Sequence, residues 1–298
     1  MARILCIGTV TLDIVNQVPC YPGDDEEMRI LSQQQRRGGN AANTATVLAQ
    51  LGHQTEFLGN IAADSAGNWI SQQLTREQVG NQYCPRMDGT TPTSYITLSQ
   101  QTGTRSILHF RDLPELHSQA LTTLPLGNID WVHFEARNID HIETMMDYLQ
   151  QQSRTTRISL EVEKPRPHVE QLFNKVSYLF FSRHYAESQG YTSPELFLQD
   201  LHSRWPRTMM SCTWGENGAY GITQEQGLTH HPALDDQTVI DTIGAGDTFN
   251  AGMIHQIVSG NHFTQALDFA NALAGMKIAQ PGFSGLGEKM QHHLDKTA

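Results

Sequence analysis

Short apolar runs alternate along the chain with segments whose apolar residues recur at helical spacing. The apolar runs have the length of buried strands and lie at residues 4–8, 55–59, 131–135, 158–162, 176–182 and 208–213. The helical segments cover residues 40–51, 68–77, 141–152, 194–203, 245–259 and 264–279. This alternation predicts an α/β fold with a mainly parallel sheet that helices cover on both faces. Ligands of such sheets bind outside the carboxyl ends of the strands.

Two regions interrupt the alternation with shorter, partly polar strand patterns. They lie at residues 10–18 with 27–32 and at residues 94–99 with 105–110, and typical turn residues join each pair. We expect these four strands to form a small sheet, at roughly residues 10–32 and 92–110, that projects as a lid from a single domain of residues 1–298. A β-hairpin decoration without a role in binding is the alternative.

The charge of the chain limits its partners. Its 298 residues include 20 Lys and Arg against 31 Asp and Glu, a formal net charge of −11. This charge argues against non-specific binding to nucleic acid or to an anionic membrane, although helix ends and local arginines can still bind phosphate. The chain shows no signal segment, no apolar stretch of membrane-spanning length and no disulfide or metal-ligand spacing among its four cysteines. We expect a cytoplasmic protein with buried thiols at Cys6 and Cys212.

Residues 241–250, which read DTIGAGDTFN, are the most informative stretch. Gly244, Ala245 and Gly246 allow backbone N–H groups to converge at the start of a predicted helix, where they can bind an anion such as phosphate. Asp247 would repel a phosphate, unless its carboxylate accepts a proton from an attacking hydroxyl. The stretch therefore favours phosphoryl transfer to an alcohol. A plain helix with an acidic first turn is the alternative.

A second run, Gly38-Gly39-Asn40-Ala-Ala-Asn43, also precedes a predicted helix. Residues three apart share a helix face, so the amides of Asn40 and Asn43 can point at one ligand. Amides donate and accept hydrogen bonds, which suits the hydroxyls of a sugar. Helix capping by Asn40 is the alternative, and it leaves Asn43 unexplained. Asp13 follows the first predicted strand and could accept two adjacent hydroxyls, although a loop-capping Asp is the more common case.

These two runs resemble the two signatures of the ribokinase-like (PfkB) sugar kinases, and they occur in the order typical of that family. Residues 108–114, 133–138 and 161–166 further resemble the ketohexokinase branch of the family. The resemblance covers essentially the whole chain. It implies a ribokinase-like three-layer α/β/α fold, with a central mainly parallel sheet and a small β-sheet lid.

The resemblance also implies roles for individual residues. Asp247 would deprotonate the acceptor hydroxyl, and the backbone N–H groups of Gly244, Ala245 and Gly246 would form the anion hole for the transferring phosphoryl group. Arg105, in the lid region, would approach the sugar and the phosphates. The residues that would bind the sugar are Asp13, Gly39, Asn40 and Asn43. Arg137 and Asn138 are further candidates at the substrate, with a structural link below the site as the alternative.

For the nucleotide, the resemblance implies ATP. Trp214, Gly215 and Gly218 would lie near its ribose and phosphates, with Gly246 beneath the phosphates. Asn271 and Ala274 would line the adenine pocket, although Asn271 could equally be a helix-surface residue.

Magnesium would arrive with ATP. Residues 182–185 read SRHY and lack the Asn-x-x-Glu pattern that many family members carry there, so Glu161, Glu163 and Glu187 are the candidates to interact with the ion through its waters. Potassium activation is a further expectation, and its site would include Asp241, Ile243 and Ser284.

The family resemblance predicts a homodimer through the lid strands, and a ketohexose such as fructose as the substrate, phosphorylated at its primary hydroxyl. A kinase for another furanose or for a nucleoside is the alternative, followed by a catalytically silent sugar sensor. A dinucleotide-dependent oxidoreductase is disfavoured because the first strand is followed by Gly8-Thr9-Val10 rather than by a Gly-x-Gly-x-x-Gly turn.

Overall fold

The computed structural model describes residues 1–153, 155–234 and 238–297. Its strands are β1 (Arg3–Ile7), β2 (Thr11–Val18), β3 (Ser32–Gly38), β4 (Gln54–Leu58), β5 (Ile61–Ala62), β6 (Val79–Gly80), β7 (Arg86–Met87), β8 (Thr93–Ser99), β9 (Arg105–Phe110), β10 (Trp131–Glu135), β11 (Arg157–Val162), β12 (Tyr178–Ser182), β13 (Met209–Thr213), β14 (Ala219–Thr223) and β15 (Gly227–His231). Its α-helices are α1 (Asn40–Gln50), α2 (Ser65–Arg76), α3 (Ile139–Gln152), α4 (Arg183–Ser188), α5 (Pro194–Arg204), α6 (Ala245–Val258), α7 (Phe263–Ile278) and α8 (Leu286–Thr297).

Nine of these strands form one large sheet in the order β15-β14-β13-β12-β11-β10-β1-β4-β6. All neighbours from β13 to β6 pair in parallel, whereas β14 and β15 add an antiparallel edge. The six strands predicted from apolar runs are all present, so the prediction of a mainly parallel sheet is confirmed. The other three strands of this sheet, β6, β14 and β15, were not predicted from the sequence. The edge strand β15 reads GLTHH and shows neither a continuous apolar run nor clear alternation.

Helices cover both faces of the large sheet, as the α/β pattern predicts. On one face α1, α6 and α7 bury a core that includes Leu48, Phe249 and Leu273. On the other face α3 and α5 bury a second core that includes Met146 and Phe197. Each fully buried side chain of this size stabilises the fold by about 1.5–3 kcal/mol. The three-layer α/β/α arrangement is therefore confirmed, and Cys6 and Cys212 are buried within it.

Four further strands form the small sheet, in the order β3-β2-β8-β9. Its central strands β2 and β8 pair in parallel, and the outer pairs are antiparallel. The prediction of a strand at residues 27–32 is wrong, because β3 spans Ser32–Gly38. The polar run Gln33-Gln34-Gln35 has no apolar alternation, and its backbone pairing with β2 makes it a strand.

The small sheet lies close to the carboxyl edge of the large one, because β2 begins only four residues after β1 ends. Across residues 1–153, 155–234 and 238–297, we find no helix with the length and apolar composition required to span a membrane.

Candidate active site

A cavity of about 570 Å³ opens at the carboxyl edge of the large sheet, bordered by the small sheet. Glu135, Glu161 and Ser182 line it from the carboxyl ends of β10, β11 and β12. The small sheet contributes inward-facing side chains of β2, β8 and β9. Of the residues singled out from the sequence, the cavity brings together Asp13, Gly39, Asn40, Asn43, Arg105, Arg137, Ile243, Gly244, Ala245, Gly246 and Asp247.

Asp247 lies in the first turn of α6 and is only 6% exposed. Its Oδ2 accepts a hydrogen bond from Asn43 Nδ2 at 2.7 Å. Burial raises the pKa of Asp247 to about 7, against the opposing effect of the Asn43 hydrogen bond, and Glu163 and Glu135 raise it further. A carboxylate with a pKa near neutrality is suited to act as a general base.

No side chain caps the backbone N–H groups at the start of α6, and the N–H of Ala245 makes a long hydrogen bond of 3.3 Å to the Thr242 carbonyl. Gly244 is the N-cap in a left-handed conformation with φ of 81°, and no side chain caps the helix. A Cβ at Gly244 would lie 2.3 Å from Phe283 Cζ, so both its backbone angle and its surroundings require glycine. At Gly246, by contrast, an added Cβ would meet no heavy atom within 4 Å. The first-turn N–H groups and the helix dipole can therefore hold an anion there.

Asn40 and Asn43 both face the cavity from the first turn of α1. The N-cap of α1 is Gly39, without a side-chain cap, so the alternative in which Asn40 caps the helix is wrong. Asn40 Nδ2 donates to Glu161 Oε1 at 3.2 Å and to Glu163 Oε2 at 3.1 Å. Its amide is therefore positioned by the end of β11.

The amide of Asn43 is held from both sides. Arg37 Nη1 donates to Asn43 Oδ1 at 2.9 Å, while Asn43 Nδ2 donates to Asp247. Arg37 is itself buried and donates from Nε to Glu77 Oε2 at 3.0 Å. This chain of contacts fixes the orientation of the Asn43 amide. Arg37, which immediately precedes the glycine pair and lies on β3, was not predicted to belong to the site.

Asp13 lies within β2 rather than in a loop after the first strand, so the loop-capping alternative is wrong. It stands opposite Arg36 on β3 and opposite Ser94 on β8. Asp13 Oδ1 accepts a hydrogen bond from Thr11 Oγ1 at 2.8 Å, and burial raises the pKa of its carboxyl group. A sugar hydroxyl that donates to this carboxylate would offset part of the cost of burying it.

The three remaining substrate candidates differ in their environments. Arg105, on β9, donates from Nη1 to Thr242 Oγ1 at 2.6 Å and thereby links the small sheet to the loop before Gly244. Arg137 pairs with Glu115 at 3.2 Å and with Glu135 at 3.4 Å. Asn138 does not line the cavity, because its Nδ2 donates to the carbonyl of Leu116 at 3.3 Å. For Asn138 the structure supports the structural link.

Apart from Gly246, which lines this cavity, the residues expected at the nucleotide lie outside it, beyond Thr213 at the end of β13. The N–H of Trp214 donates to the carbonyl of Gly218 at 2.8 Å and closes the turn that contains Gly215. Gly218 packs against the segment that ends β15, since an added Cβ would lie 2.1 Å from the His231 carbonyl oxygen.

Asn271 reaches the same segment, because its Nδ2 donates to the Pro232 carbonyl at 2.5 Å. Ala274 is partly buried three positions further along α7. The turn after β13 and the middle of α7 therefore both contact the residues that follow β15.

Asp241, Ile243 and Ser284, the potassium candidates, line a neighbouring cavity of about 320 Å³. The buried ammonium of Lys277 lies 2.9 Å from the Asp241 carbonyl oxygen and 3.3 Å from Oδ2. Arg36 Nη1 also donates to Asp241 Oδ2, at 2.8 Å. Asp241 is the only one of the three candidates with a negative charge, and two cationic side chains already engage it. This arrangement does not fit a potassium ion.

The pKa of Asp241 is consistent with that pairing. Burial acts to raise the pKa of this carboxyl group, but the N–H groups of Gly282 and Ile243, with Lys277 and Arg36, outweigh it and lower the pKa. Among residues 1–153, 155–234 and 238–297, no group of three or more His, Cys, Asp or Glu side chains could hold a metal ion.

Glu135 also lines the cavity, although it was not predicted from the sequence to belong to the site. It ends β10, and its carboxylate accepts hydrogen bonds from the N–H of Thr9 at 2.9 Å and from Arg137. The sequence did contain a signal for Glu135, since it is a carboxylate at the end of the otherwise apolar run WVHFE. The carboxyl ends of parallel strands meet at one edge of the sheet, where ligands bind.

Comparison with known proteins identifies the class that this fold and site define. Residues 1–288 match the description "pfkB family carbohydrate kinase". Ketohexokinase of Mus musculus is 34% identical over 293 residues, which are 95% of this chain and 98% of that protein. Ribokinase of Bacillus subtilis is 27% identical over 289 residues, 96% of each chain. The Arabidopsis thaliana ribokinase structure complexed with ribose and ATP has a TM-score of 0.78 at 20% identity, covering 98% of this chain and 99% of that one.

The chain is therefore an enzyme that phosphorylates a carbohydrate. It belongs to the pfkB family of carbohydrate kinases.

Proposed function

We propose that the protein transfers the γ-phosphoryl group of ATP to the primary hydroxyl of a ketohexose such as fructose. The observation that carries this proposal is the position of Asp247, a buried carboxylate beside the uncapped N–H groups of α6. The chain is 34% identical to the ketohexokinase of Mus musculus, and this similarity supports the choice of sugar.

The chemistry follows from the contacts of Asp247. Its carboxylate accepts the proton of the sugar hydroxyl, whose oxygen forms a bond to the γ-phosphorus as the bond from phosphorus to the β–γ bridging oxygen breaks. The electron pair of the broken bond leaves with ADP. The N–H groups of Gly244, Ala245 and Gly246 stabilise the charge on the transferring group, and preorganised donors of this kind supply much of the catalysis in phosphoryl transfer.

The sugar lies between the small sheet and α1. Asp13 accepts hydrogen bonds from adjacent hydroxyls, and the backbone of Gly39 with the amides of Asn40 and Asn43 supplies further partners. Arg105 reaches the same cavity from β9 and can approach the sugar and the phosphates. We assign Arg137 to positioning Glu135, with which it pairs.

For ATP, we assign the ribose and phosphates to the turn formed by Trp214, Gly215 and Gly218, and the adenine to Asn271 and Ala274. Magnesium, bound with ATP, would neutralise the phosphate charge. Potassium stays a prediction of the family resemblance. It has no part in the mechanism because Lys277 already engages Asp241.

The exposed apolar face of the small sheet supports the proposal that the protein is a homodimer. Tyr95, Leu108 and Phe110 are exposed, and by strand alternation they lie on the face opposite Arg105 and His109, which line the cavity. Tyr95 and Leu108 are also direct neighbours across β8 and β9. A second copy of the chain would remove this apolar face from water.

ADP production measured with fructose, tagatose, ribose and adenosine tests the choice of substrate. We expect the highest kcat/KM with a ketohexose. A higher value with ribose or adenosine than with every ketohexose would establish the alternative, which the similarity to Bacillus subtilis ribokinase supports.

The Asp247→Asn variant tests the role of the base. General-base catalysis contributes about 10²–10⁴-fold, so we expect turnover to fall by that factor while sugar and ATP still bind. A sugar sensor with trace turnover would instead show the same rate in the variant.

A further inference from the structure

Lys277 is a buried cation that takes no part in the proposed mechanism. It lies in the last turn of α7 and is 0% exposed. Its Nζ donates to the carbonyl oxygen of Asp241 at 2.9 Å and lies 3.3 Å from the Oδ2 of the same residue. A well-packed apolar pair is often at least as stable as a buried ion pair, so the stability of the fold alone does not explain this contact.

The carboxylate of Asp241 organises residues 240–243, the segment that leads into α6. Its Oδ1 accepts a hydrogen bond from the N–H of Ile243 at 3.0 Å, and its Oδ2 accepts one from the N–H of Gly282 at 3.1 Å. The backbone of this segment is also tied to α7, because the N–H of Asp241 donates to the carbonyl of Ile278 at 3.1 Å. The end of α7 and the start of α6 are therefore held together through Asp241.

A second path leads from Lys277 to the proposed anion hole. Its Nζ lies 5.5 Å from the ring centroid of Phe283, within the range of a cation–π contact. Phe283 packs directly on Gly244, where an added Cβ would lie 2.3 Å from its Cζ. The ammonium group thus contacts both the residue that organises the segment before α6 and the ring that packs on the first residue of the anion hole.

The neighbouring Arg36 does not duplicate this contact. Its Nη1 donates to Asp241 Oδ2 at 2.8 Å from the small sheet, and its side chain is 24% exposed. Lys277 is fully buried and binds the main-chain carbonyl of Asp241 as well as the carboxylate. Main-chain carbonyl oxygens are also the ligands that replace the hydration shell of potassium in proteins. In this protein an ammonium group already lies at such a carbonyl.

We propose that the ammonium of Lys277 is a positioning group that takes the place of a monovalent cation beside the anion hole, so that the enzyme needs no potassium. This role rests on the proposed kinase function, and it departs from the potassium activation that the family resemblance implies. By holding Asp241, Lys277 fixes the backbone that precedes Gly244 and hence the direction of the N–H groups that face the phosphoryl group. A displacement of about 1 Å in such a group can lower the rate about 10²-fold.

The first test is the dependence of wild-type turnover on monovalent cations. ADP production is measured with saturating ATP and the preferred sugar in potassium, sodium and tetramethylammonium chloride. Equal ionic strength keeps the screening of charges the same in each salt. We expect equal kcat values in the three salts, because the cation beside the anion hole belongs to the chain.

Substitutions of Lys277 supply the second test. Lys277→Met keeps the length of the side chain and removes its charge, so the protein should fold, with an unchanged KM for the sugar and a kcat that is about 10²-fold lower. Lys277→Ala leaves space beside Asp241. Its kcat should recover as potassium or methylammonium is added, but not with tetramethylammonium, which is too large for that space.

Lys175→Met is the matched control. Lys175 also pairs with carboxylates, those of Glu143 at 3.0 Å and Asp147 at 2.5 Å, but it does not line the cavity. We expect its kcat to equal that of the wild type in every salt. Urea unfolding of each variant shows whether a loss of kcat accompanies a loss of stability.

Three results would overturn the proposal. They are activation of the wild type by potassium, a wild-type kcat in Lys277→Met, and a loss of kcat in Lys277→Ala that no cation restores, which would show a structural role. If neither variant folds, equal wild-type rates in the three salts still support the proposal, and activation by potassium still overturns it. A wild-type protein without turnover on any sugar in any salt would instead contradict the proposed kinase function.

Discussion

Asn43 Nδ2 lies 2.7 Å from Asp247 Oδ2, and this contact joins residues that are 204 positions apart in the chain. The first residue lies on α1, which follows β3 of the small sheet, and the second lies in the first turn of α6. The hydrogen bond stabilises the ionised form of Asp247, whereas burial and the neighbouring glutamates stabilise the protonated form. The balance leaves the pKa of this carboxyl group at about 7.

The pH dependence of activity should reveal this contact. Asp247 must be ionised to accept a proton, so we expect kcat/KM of the wild-type enzyme to fall as the pH decreases through about 7. In Asn43→Ala the carboxylate loses its donor, its pKa rises, and the fall in kcat/KM should begin at higher pH. Steady-state kinetics between pH 5.5 and 9 provide the measurement.

Asn138→Ala is the control for that shift. It also removes an amide from a helix start, but Asn138 does not line the cavity. We expect its pH profile to match that of the wild type. An Asn43→Ala profile whose acid limb does not move would show that Asn43 has no influence on the base.

Several parts of this arrangement could be predicted from the sequence. The alternation of apolar runs and helical segments predicts the parallel core, because buried strands and amphipathic helices have different periods. The glycines before Asp247 and the amide pair on α1 indicate the site, because their residue types restrict the possible chemistry.

The partnerships within the site could not be predicted. Arg37, Asn43 and Asp247 form their contacts only after β3, α1 and α6 come together. Lys277 belongs to an apolar helical pattern, which does not show that its ammonium contacts Asp241. The strand β3 was misplaced because an exposed polar edge strand is defined by its backbone pairing rather than by hydrophobic alternation.

Gly244 and Gly246 should respond differently to the addition of a methyl group. In Gly244→Ala the new Cβ meets Phe283 and the residue must keep a positive φ, which costs about 1–2 kcal/mol before any clash is counted. We expect both a lower urea midpoint and a large loss of kcat. Gly246→Ala places Cβ in open space within a helix, so its stability should be unchanged or about 0.5–1 kcal/mol higher.

The activity of Gly246→Ala then tests the anion hole. If the phosphates approach the backbone of Gly246, a methyl group there should raise the KM for ATP although the fold is intact. A normal KM and kcat in a stable Gly246→Ala protein would place the phosphates elsewhere.

The stability of the protein should decrease in mild acid because of a histidine pair. His53 Nε2 and His255 Nδ1 lie 2.9 Å apart, and the N–H of Ala2 donates to His53 Nδ1. Burial, with the nearby His255, lowers the pKa of His53 from 6.5 to about 4. Between these values the unfolded chain binds a proton that the folded one does not, so the free energy of unfolding falls as the pH decreases.

Urea unfolding at pH 7.5, 6 and 5 tests this prediction. We expect the midpoint to decrease across the series in the wild type, and less steeply in His53→Gln. His184→Gln, at an exposed position, should keep the wild-type slope. Equal slopes in all three proteins would assign the acid sensitivity to other groups.

Replacement of Leu108 on the outer face of the small sheet should change the oligomeric state. Leu108 is 74% exposed, and Tyr95 and Phe110 extend the same apolar face. If a second copy packs there, a buried lysine ammonium would be costly, and Leu108→Lys should convert the homodimer to a monomer in light scattering at micromolar concentration. Leu196→Lys is the matched control, since Leu196 is 62% exposed on α5, away from the small sheet, and should leave the dimer intact. A wild-type protein that is already monomeric, or dissociation by Leu196→Lys alone, would contradict a dimer interface on the small sheet.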